Sequence, residues 1–177
     1  MRKILFILAM VVSLSASVAS AQQRCDSHHE DRSGYEHGDR HHPSPYFVSK
    51  NKVFFDGREI KGASASSFSI LRDGYAKDTW SVYYCGTKMD GTSSNSFKVL
   101  GFGYAKDTWN VYFDGKKING ASPESFKVLR DGYAKDTWNV YFDAVKIKGA
   151  SPDSFKVLRD GYAKDTWNTY YFGRKID

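Results

Sequence analysis

Short apolar and aromatic runs alternate with turn-forming and charged residues along most of the chain. Within the stretch 120–148, the segments SFKVL at 125–129, YAKD at 133–136 and VYF at 140–142 are β-favouring, and each borders a turn signal. No window has helical apolar periodicity over the ten or more residues that a helix needs. The pattern predicts three short strands in this stretch. The SPES segment 122–125, before the first strand, is compatible with one short 3₁₀ turn.

The same stretch recurs at a fixed period. An eight-residue phrase ending in GYAKDTW starts every 29 residues, at Asp73, Phe102, Asp131 and Asp160. A period of this size indicates that each unit is one supersecondary element stabilised by stacking on its neighbours. The sequence therefore predicts an all-β tandem array of 29-residue meander or hairpin repeats. Its units lie near 44–72, 73–101, 102–130 and 131–159, with a partial unit at 160–177.

The first 45 residues differ from the array. Arg2 and Lys3 precede an apolar stretch that runs to Val18, and residues 19–21 (ASA) form a small-x-small cleavage pattern. Residues 1–21 are therefore predicted to be a secretory signal peptide, and no later stretch is apolar enough to span a membrane. Residues 22–45 contain almost no apolar side chains, which predicts a flexible linker before the array at 46–177.

Cys25 and Cys85 are the only cysteines. An exported protein meets an oxidising environment, in which such a pair can form a disulfide. Cys85 stands where other units have aspartate, so it departs from the repeat in one unit, which favours a specific tether to the N-terminal segment. Closing a loop of about 60 residues would stabilise the fold by up to about 4 kcal/mol. The alternative is a pair of unbridged thiols.

The formal net charge of +6 lies on the array. The signal peptide carries two basic residues, and residues 22–45 carry three arginines against five acidic residues, so residues 46–177 retain +6. A moderately basic array favours acidic partners such as anionic glycans or lipid headgroups. The alternative is a solvated surface that happens to be rich in lysine.

The repeated segments resemble the DKNYY family, a family of bacterial exported and surface repeat proteins with units of the type GYAKDKNYVYYNGKKI. The resemblance covers residues 46–177, where GYAKD, VYF, Asp-Gly, Lys-Lys-Ile, Gly-Ala-Ser-Pro and SFKVL occur in order. It implies a β-rich repeat and export to the periplasm, the medium or the cell surface, and it implies no activity. The chain departs from the family at one turn, where Lys50-Asn51 survives in the first unit but Thr-Trp replaces it in the other four.

That departure is the first candidate site. Asparagine tolerates the left-handed backbone of tight hairpins and tryptophan tolerates it poorly, so the turn is predicted to be reshaped. If the turns project from one edge of the array, the indoles form a ladder of aromatic platforms for sugar rings or for a partner's apolar groups. The alternative is that each indole folds back over the gap to the next unit. All four tryptophans occupy this position: Trp80, Trp109, Trp138 and Trp167.

The histidines form a second candidate site. All five fall within fifteen residues of the linker, beside five acidic residues, and such a tract can gather Zn²⁺, Cu²⁺ or Ni²⁺ weakly. Their spacing fits no closed structural metal site, and the alternative is a solvated linker. The residues are His28, His29, His37, His41 and His42.

Catalysis is not indicated. The array has no histidine, and its recurring carboxylates occupy equivalent turn positions, whereas acid and base catalysis needs groups in different environments. We predict a non-enzymatic, exported binding or structural module of the bacterial envelope, with a glycan or protein ligand. It is expected to have no cofactor, no nucleic-acid partner and no membrane span, and its oligomeric state is left open. The competing hypothesis is a metal-scavenging protein that acts through the histidine tract.

Overall fold

The computed structural model describes residues 44–176. The predicted signal peptide and nearly all of the predicted linker, with Cys25 and the five histidines, lie outside the described residues. Residues 44–176 form 19 strands in five small antiparallel sheets, and the helical elements among them are two 3₁₀ turns, Ala65–Ser67 and Ser94–Ser96. No helix in this part of the chain is long and apolar enough to cross a membrane. The predicted all-β repeat fold is confirmed, and the two 3₁₀ turns lie one and two repeats before the SPES segment 122–125, which forms an ordinary turn.

Every sheet is a meander whose strands follow chain order. The first sheet has three strands: β1 Tyr46–Ser49, β2 Lys52–Phe55 and β3 Arg58–Glu59. The second has β4 Ser69–Ile70, β5 Tyr75–Lys77, β6 Val82–Tyr84 and β7 Thr87–Met89. The third has β8 Lys98–Gly101, β9 Tyr104–Lys106, β10 Val111–Phe113 and β11 Lys116–Lys117. The fourth has β12 Lys127–Val128, β13 Tyr133–Lys135, β14 Val140–Phe142 and β15 Val145–Lys146. The fifth has β16 Lys156–Val157, β17 Tyr162–Lys164, β18 Thr169–Tyr171 and β19 Arg174–Ile176.

The prediction of three strands per unit is wrong, because the last four sheets each have a fourth strand. It forms from the lysine-rich segment after the turn, as in β11, where Lys116 pairs with Phe113 and Lys117 with Tyr112. Lysine has little preference for strands, so propensity gave no signal. The segment becomes a strand because a tight turn brings it beside the free backbone groups of the preceding VYF strand, which need partners.

The sheets are also shifted relative to the predicted units. Each four-stranded sheet takes its first strand from the segment that ends one predicted unit, as β12 shows by pairing with β13. That strand is shorter than predicted, because Phe126 is buried in the core next to it and only Lys127 and Val128 pair with β13.

The core lies between neighbouring sheets and is built from tyrosine and phenylalanine. Phe126 packs between Tyr104 of one sheet and Tyr141 of the next, with ring centroids 5.5 Å and 5.6 Å apart. Such rings bury large apolar areas, which lets small sheets stabilise one another by stacking. Equivalent trios recur along the array: Tyr46, Phe68 and Tyr83; Tyr75, Phe97 and Tyr112; Tyr133, Phe155 and Tyr170.

Tyrosine hydroxyls join each sheet to the next. The Tyr104 hydroxyl donates to the Gly132 carbonyl at 3.2 Å and accepts from the Ala144 amide at 2.9 Å. Because the same two contacts recur at each step, equivalent strands follow one another along the array. The other tyrosines that make this pair of contacts are Tyr46, Tyr75 and Tyr133.

Gly115 lies at a point of close approach between two sheets. It has φ +74°, and a Cβ atom on it would lie 2.6 Å from the ring of Tyr84 in the preceding sheet, so a side chain there would have to displace that ring. At the equivalent position of the fourth sheet Ala144 takes the same left-handed backbone, with φ 64°. Asp114-Gly115 is therefore both a turn and a point of close contact between two sheets.

Candidate functional site

The tryptophans lie in the turn between the second and third strands of the four-stranded sheets. In the fourth sheet this turn joins β13 to β14, whose pairing ends at Lys135 and Val140. The Asp136 amide donates to the Asn139 carbonyl at 2.9 Å, which leaves Thr137 and Trp138 at the tip.

A buried carboxylate holds each of these turns. Oδ1 of Asp136 accepts hydrogen bonds from the amides of Trp138 and Asn139, both at 2.7 Å. Its Oδ2 accepts from the Tyr141 hydroxyl and from the Ser122 amide, both at 2.9 Å. Ser122 belongs to the segment that precedes β12, so the carboxylate ties the turn to the incoming chain. The equivalent carboxylates, with the same four kinds of donor, are Asp78, Asp107 and Asp165.

These contacts set the charge state of the site. Burial opposes ionisation of Asp136, but the four hydrogen bonds favour the carboxylate more strongly and hold its pKa below the ordinary value. At Asp165 the same balance lowers the pKa to about 2. Burial and the bond to the carboxylate raise the pKa of the Tyr141 hydroxyl to about 12. The turn therefore has a fixed negative charge that is fully engaged by donors.

A further bond holds the tip of the turn. The Thr137 amide donates to the Ser125 hydroxyl at 3.1 Å, and the same bond recurs at Thr79, Thr108 and Thr166. Together with the carboxylate bonds, it satisfies the backbone amides of the turn without any contribution from the indole. The turn is thus held rigidly by its backbone.

The turn is reshaped, as the loss of asparagine predicted. Lys50 and Asn51 in the first sheet have φ of 48° and 59°. Among the described residues with positive φ, none is a threonine or a tryptophan. The Thr-Trp turns therefore avoid the left-handed region, where a bulky side chain is strained.

The indoles project into solvent. Their exposed fractions are 81% for Trp80, 76% for Trp109, 75% for Trp138 and 81% for Trp167. The alternative in which each indole folds back over the gap between units is wrong, because phenylalanines and tyrosines already fill that gap. One exposed indole per sheet remains, at the same position of four successive sheets.

A shallow groove of about 360 Å³ lies beside the turn of Trp138. The Lys135 ammonium at its edge donates to the Pro152 carbonyl at 2.7 Å. The groove offers hydroxyl, carboxylate and ammonium groups at the base of the turn that carries Trp138. Its lining residues are Ser125, Lys127, Lys135, Asp136, Thr137, Pro152 and Asp153.

The other sequence candidates lie apart from these turns or outside the described residues. Cys85 is buried in the core of the first sheets, near Tyr46 and Phe55. Its predicted partner Cys25 lies outside residues 44–176, so the disulfide stays a prediction. The histidine tract also lies outside them, and within 44–176 no group of three or more histidine, cysteine or acidic side chains could hold a metal ion.

The role of the aspartates was not apparent from the sequence. Their recurrence at equivalent turn positions indicated a turn, but not the bonds that the carboxylates accept. The bond to an amide fourteen residues earlier depends on how the chain enters the sheet. The repeated pair of a buried aspartate and a tyrosine five residues later was the available signal.

A model of the DKNYY family matches residues 46–171. That span is most of the chain, and the chain therefore belongs to the DKNYY family. The resemblance inferred from the repeated motifs is confirmed. No curated protein and no solved structure matches the chain.

Proposed function

We propose that the chain is an exported, non-enzymatic module that binds a glycan of the bacterial envelope on its row of tryptophans. The observation that carries the proposal is the exposure of four equivalent indoles, each at least 75% accessible. Large apolar side chains in recurrent exposed positions are typical of interaction surfaces. A repeat family with a hairpin fold suits such a structural role.

The rigidity of the turns supports binding. The backbone amides of each turn are held by a buried carboxylate and a serine hydroxyl, so a ligand has little backbone motion to arrest. Preorganisation of this kind reduces the entropic cost of association. The indole is the one large group of the turn that no fold contact requires.

The repetition supports a polymeric ligand. Four identical platforms on successive sheets favour a chain of repeating sugars, because each further contact is intramolecular once the first has formed. The apolar faces of sugar rings can stack on indole, while the polar groups of the adjacent groove can bind their hydroxyls. Export through residues 1–21 would place the module at the envelope.

The test is co-sedimentation with isolated, protein-free bacterial cell-wall glycan. Replacing both Trp109 and Trp138 with alanine should weaken binding by about tenfold or more, because aromatic stacking contributes about 0.5–1.5 kcal/mol per ring. The matched control replaces Thr79 and Thr108 with alanine. Both are exposed threonines that stand next to a tryptophan and do not line the groove, and this variant should bind like the native protein. Both variants should keep the native melting temperature to within a few degrees.

Two results would contradict the proposal. Native protein that stays in the supernatant would exclude the cell-wall glycan as ligand. Undiminished binding of the double tryptophan variant would show that the indoles are not the contact.

A further inference from the structure

The last strands of the five sheets form a second repeated surface, here called the lysine edge. It comprises residues 58–61, 87–90, 116–119, 145–148 and 174–176, the same positions of each repeat as far as the structure describes them. Two acidic residues lie on it, Glu59 and Asp90. Nine basic residues lie on it, all of them exposed: Arg58, Lys61, Lys88, Lys116, Lys117, Lys146, Lys148, Arg174 and Lys175.

The lysine edge carries the larger part of the positive charge on the surface of the array. Residues 44–176 carry 21 basic and 14 acidic side chains, and nine of the basic and two of the acidic ones lie on the edge, which gives the edge a net charge of +7. The remaining residues have twelve basic and twelve acidic side chains, but four of these carboxylates are buried in the turns, Asp78, Asp107, Asp136 and Asp165. The surface outside the edge therefore has a net charge of +4, and the edge is the more basic of the two.

Protection of a sheet edge against pairing does not explain this arrangement. Charged side chains commonly keep edge strands from pairing with other chains, and a single charge on a short strand serves that purpose. On the opposite edge of the last three sheets, the edge strands β8, β12 and β16 each begin with one exposed lysine. These lysines are Lys98, Lys127 and Lys156. The lysine edge has two basic residues per sheet or more in four of the five sheets, and almost all its charges have one sign.

The charges on the edge are available to a ligand. Within residues 44–176 the structure contains one ion pair, between the Lys52 ammonium and a Glu59 carboxylate oxygen at 2.8 Å. This ion pair involves none of the nine basic residues of the edge, and Lys52 neutralises Glu59, one of its two acidic residues. A groove of about 370 Å³ lies between the edges of the third and fourth sheets. Three lysines, Lys116, Lys117 and Lys146, line it together with one acidic residue, Asp143.

We propose that the lysine edge binds a linear anionic polysaccharide, with carboxylate or phosphate groups, that runs across successive sheets. Equivalent strands follow one another along the array, so the basic groups recur in a row that suits a linear polymer. A bilayer is a poorer match, because surfaces that dock on lipid also insert apolar side chains. Met89, Ile118 and Ile147 are turned into the core, so the exposed apolar residues of the edge are Val145 and Ile176, one in each of the last two sheets, against nine exposed basic residues. This surface is separate from the tryptophan ladder, and the proposal stands without it.

The experiment measures binding to polygalacturonate and to long-chain polyphosphate, with neutral dextran as the reference polymer. The test variant carries Lys116→Gln, Lys117→Gln and Lys146→Gln. The matched control carries Lys98→Gln, Lys156→Gln and Lys164→Gln. These are exposed lysines outside both the lysine edge and the groove, so both variants lose three positive charges from exposed sites. Binding of the test variant should weaken by about tenfold or more, since each exposed charge pair contributes modestly and three are lost. The control should change by less than about twofold.

Salt and the tryptophan variant complete the test. Raising the salt concentration from about 0.05 M to about 0.5 M should remove most of the binding, because screening is strong at exposed sites. The Trp109→Ala, Trp138→Ala variant should bind the polyanions like the native protein, which separates this surface from the ladder. Equal losses in the two lysine variants would overturn the assignment to this edge. Binding to anionic phosphatidylglycerol vesicles but to neither polymer would overturn the ligand class.

Discussion

The first sheet and the fourth sheet form the equivalent hairpin turn, with two residues at its tip, in different ways. Lys50 and Asn51 connect β1 to β2 with both residues at positive φ, the pattern of a type I′ hairpin turn. Thr137 and Trp138 connect β13 to β14 without positive φ, and the buried carboxylate of Asp136 holds their turn. In the first sheet an exposed serine, Ser49, stands at the aspartate's place. The hydrogen bonds to the carboxylate thus hold the turn without left-handed residues, so the turn no longer requires asparagine.

A second difference accompanies the first. Each aspartate that holds a turn has a tyrosine five residues later whose hydroxyl donates to it, as Tyr141 does to Asp136. In the first sheet, the residue five positions after Ser49 is Phe54, which stacks on Phe47 with centroids 4.9 Å apart. The hydroxyl is absent where no carboxylate could accept from it. The residues at three positions of the hairpin therefore change together. The later hairpins have aspartate, tryptophan and tyrosine there, and the first hairpin has Ser49, Asn51 and Phe54.

The largest expected effect is the loss of stability at low pH. Acid protonates the carboxylates of all four later hairpins together, whereas the first hairpin has no such carboxylate. Their folded pKa values lie below the ordinary value near about 4, so their contribution is present above that pH and is lost as the pH falls towards about 2. The free energy of unfolding should fall steeply in that window. Urea denaturation at a series of pH values measures it, and a flat profile would contradict the role of the carboxylates.

The alkaline side gives the complementary result. The hydroxyls of Tyr83, Tyr141 and Tyr170 have pKa values raised to about 12. Their contribution is full below the ordinary value of about 10 and is lost as the pH rises towards about 12. Ultraviolet titration should show these tyrosines ionising only late. Ionisation of all twelve tyrosines near pH 10 would count against the buried pairs.

Removing one carboxylate should have the next largest effect. Asp136→Ala leaves two turn amides, the Ser122 amide and the Tyr141 hydroxyl without their acceptor, at a cost of about 3 kcal/mol or more in the free energy of unfolding. Ser49→Ala, at the equivalent place in the first hairpin, should cost less than about 0.5 kcal/mol. Chemical denaturation measures the free energy of unfolding of both variants. An equal loss in the two would show that the aspartate is no more important to its turn than Ser49 is.

Exchanging the tip residues gives a smaller and asymmetric effect. Asn51→Trp puts a bulky side chain at φ 59° and should cost about 1–2 kcal/mol. Trp138→Asn leaves the carboxylate bonds intact and should change stability by less than about 0.5 kcal/mol. Melting temperatures of the two variants test the asymmetry. A loss in the second variant that matches the first would mean that the indole is needed for folding.

The repeat and its β character could be predicted because they depend on local pattern. The strand VYF at 140–142 was predicted at its observed bounds, since β-branched and aromatic residues favour pairing. The lysine-rich fourth strand could not be predicted, because β11 consists of two exposed lysines that pair only where a turn places them. The exposure of the tryptophans could not be predicted either, because it depends on Phe126 and its equivalents filling the gaps between sheets.

The most direct test of the central claim is the fluorescence of the native protein, whose four tryptophans all lie in these turns. Because the four indoles are exposed, the folded protein should emit at the wavelength of tryptophan in water. Acrylamide should quench this emission freely, and unfolding should change the emission wavelength little. A blue-shifted, protected emission that moves to longer wavelength on unfolding would show that the indoles are packed, and would contradict the account.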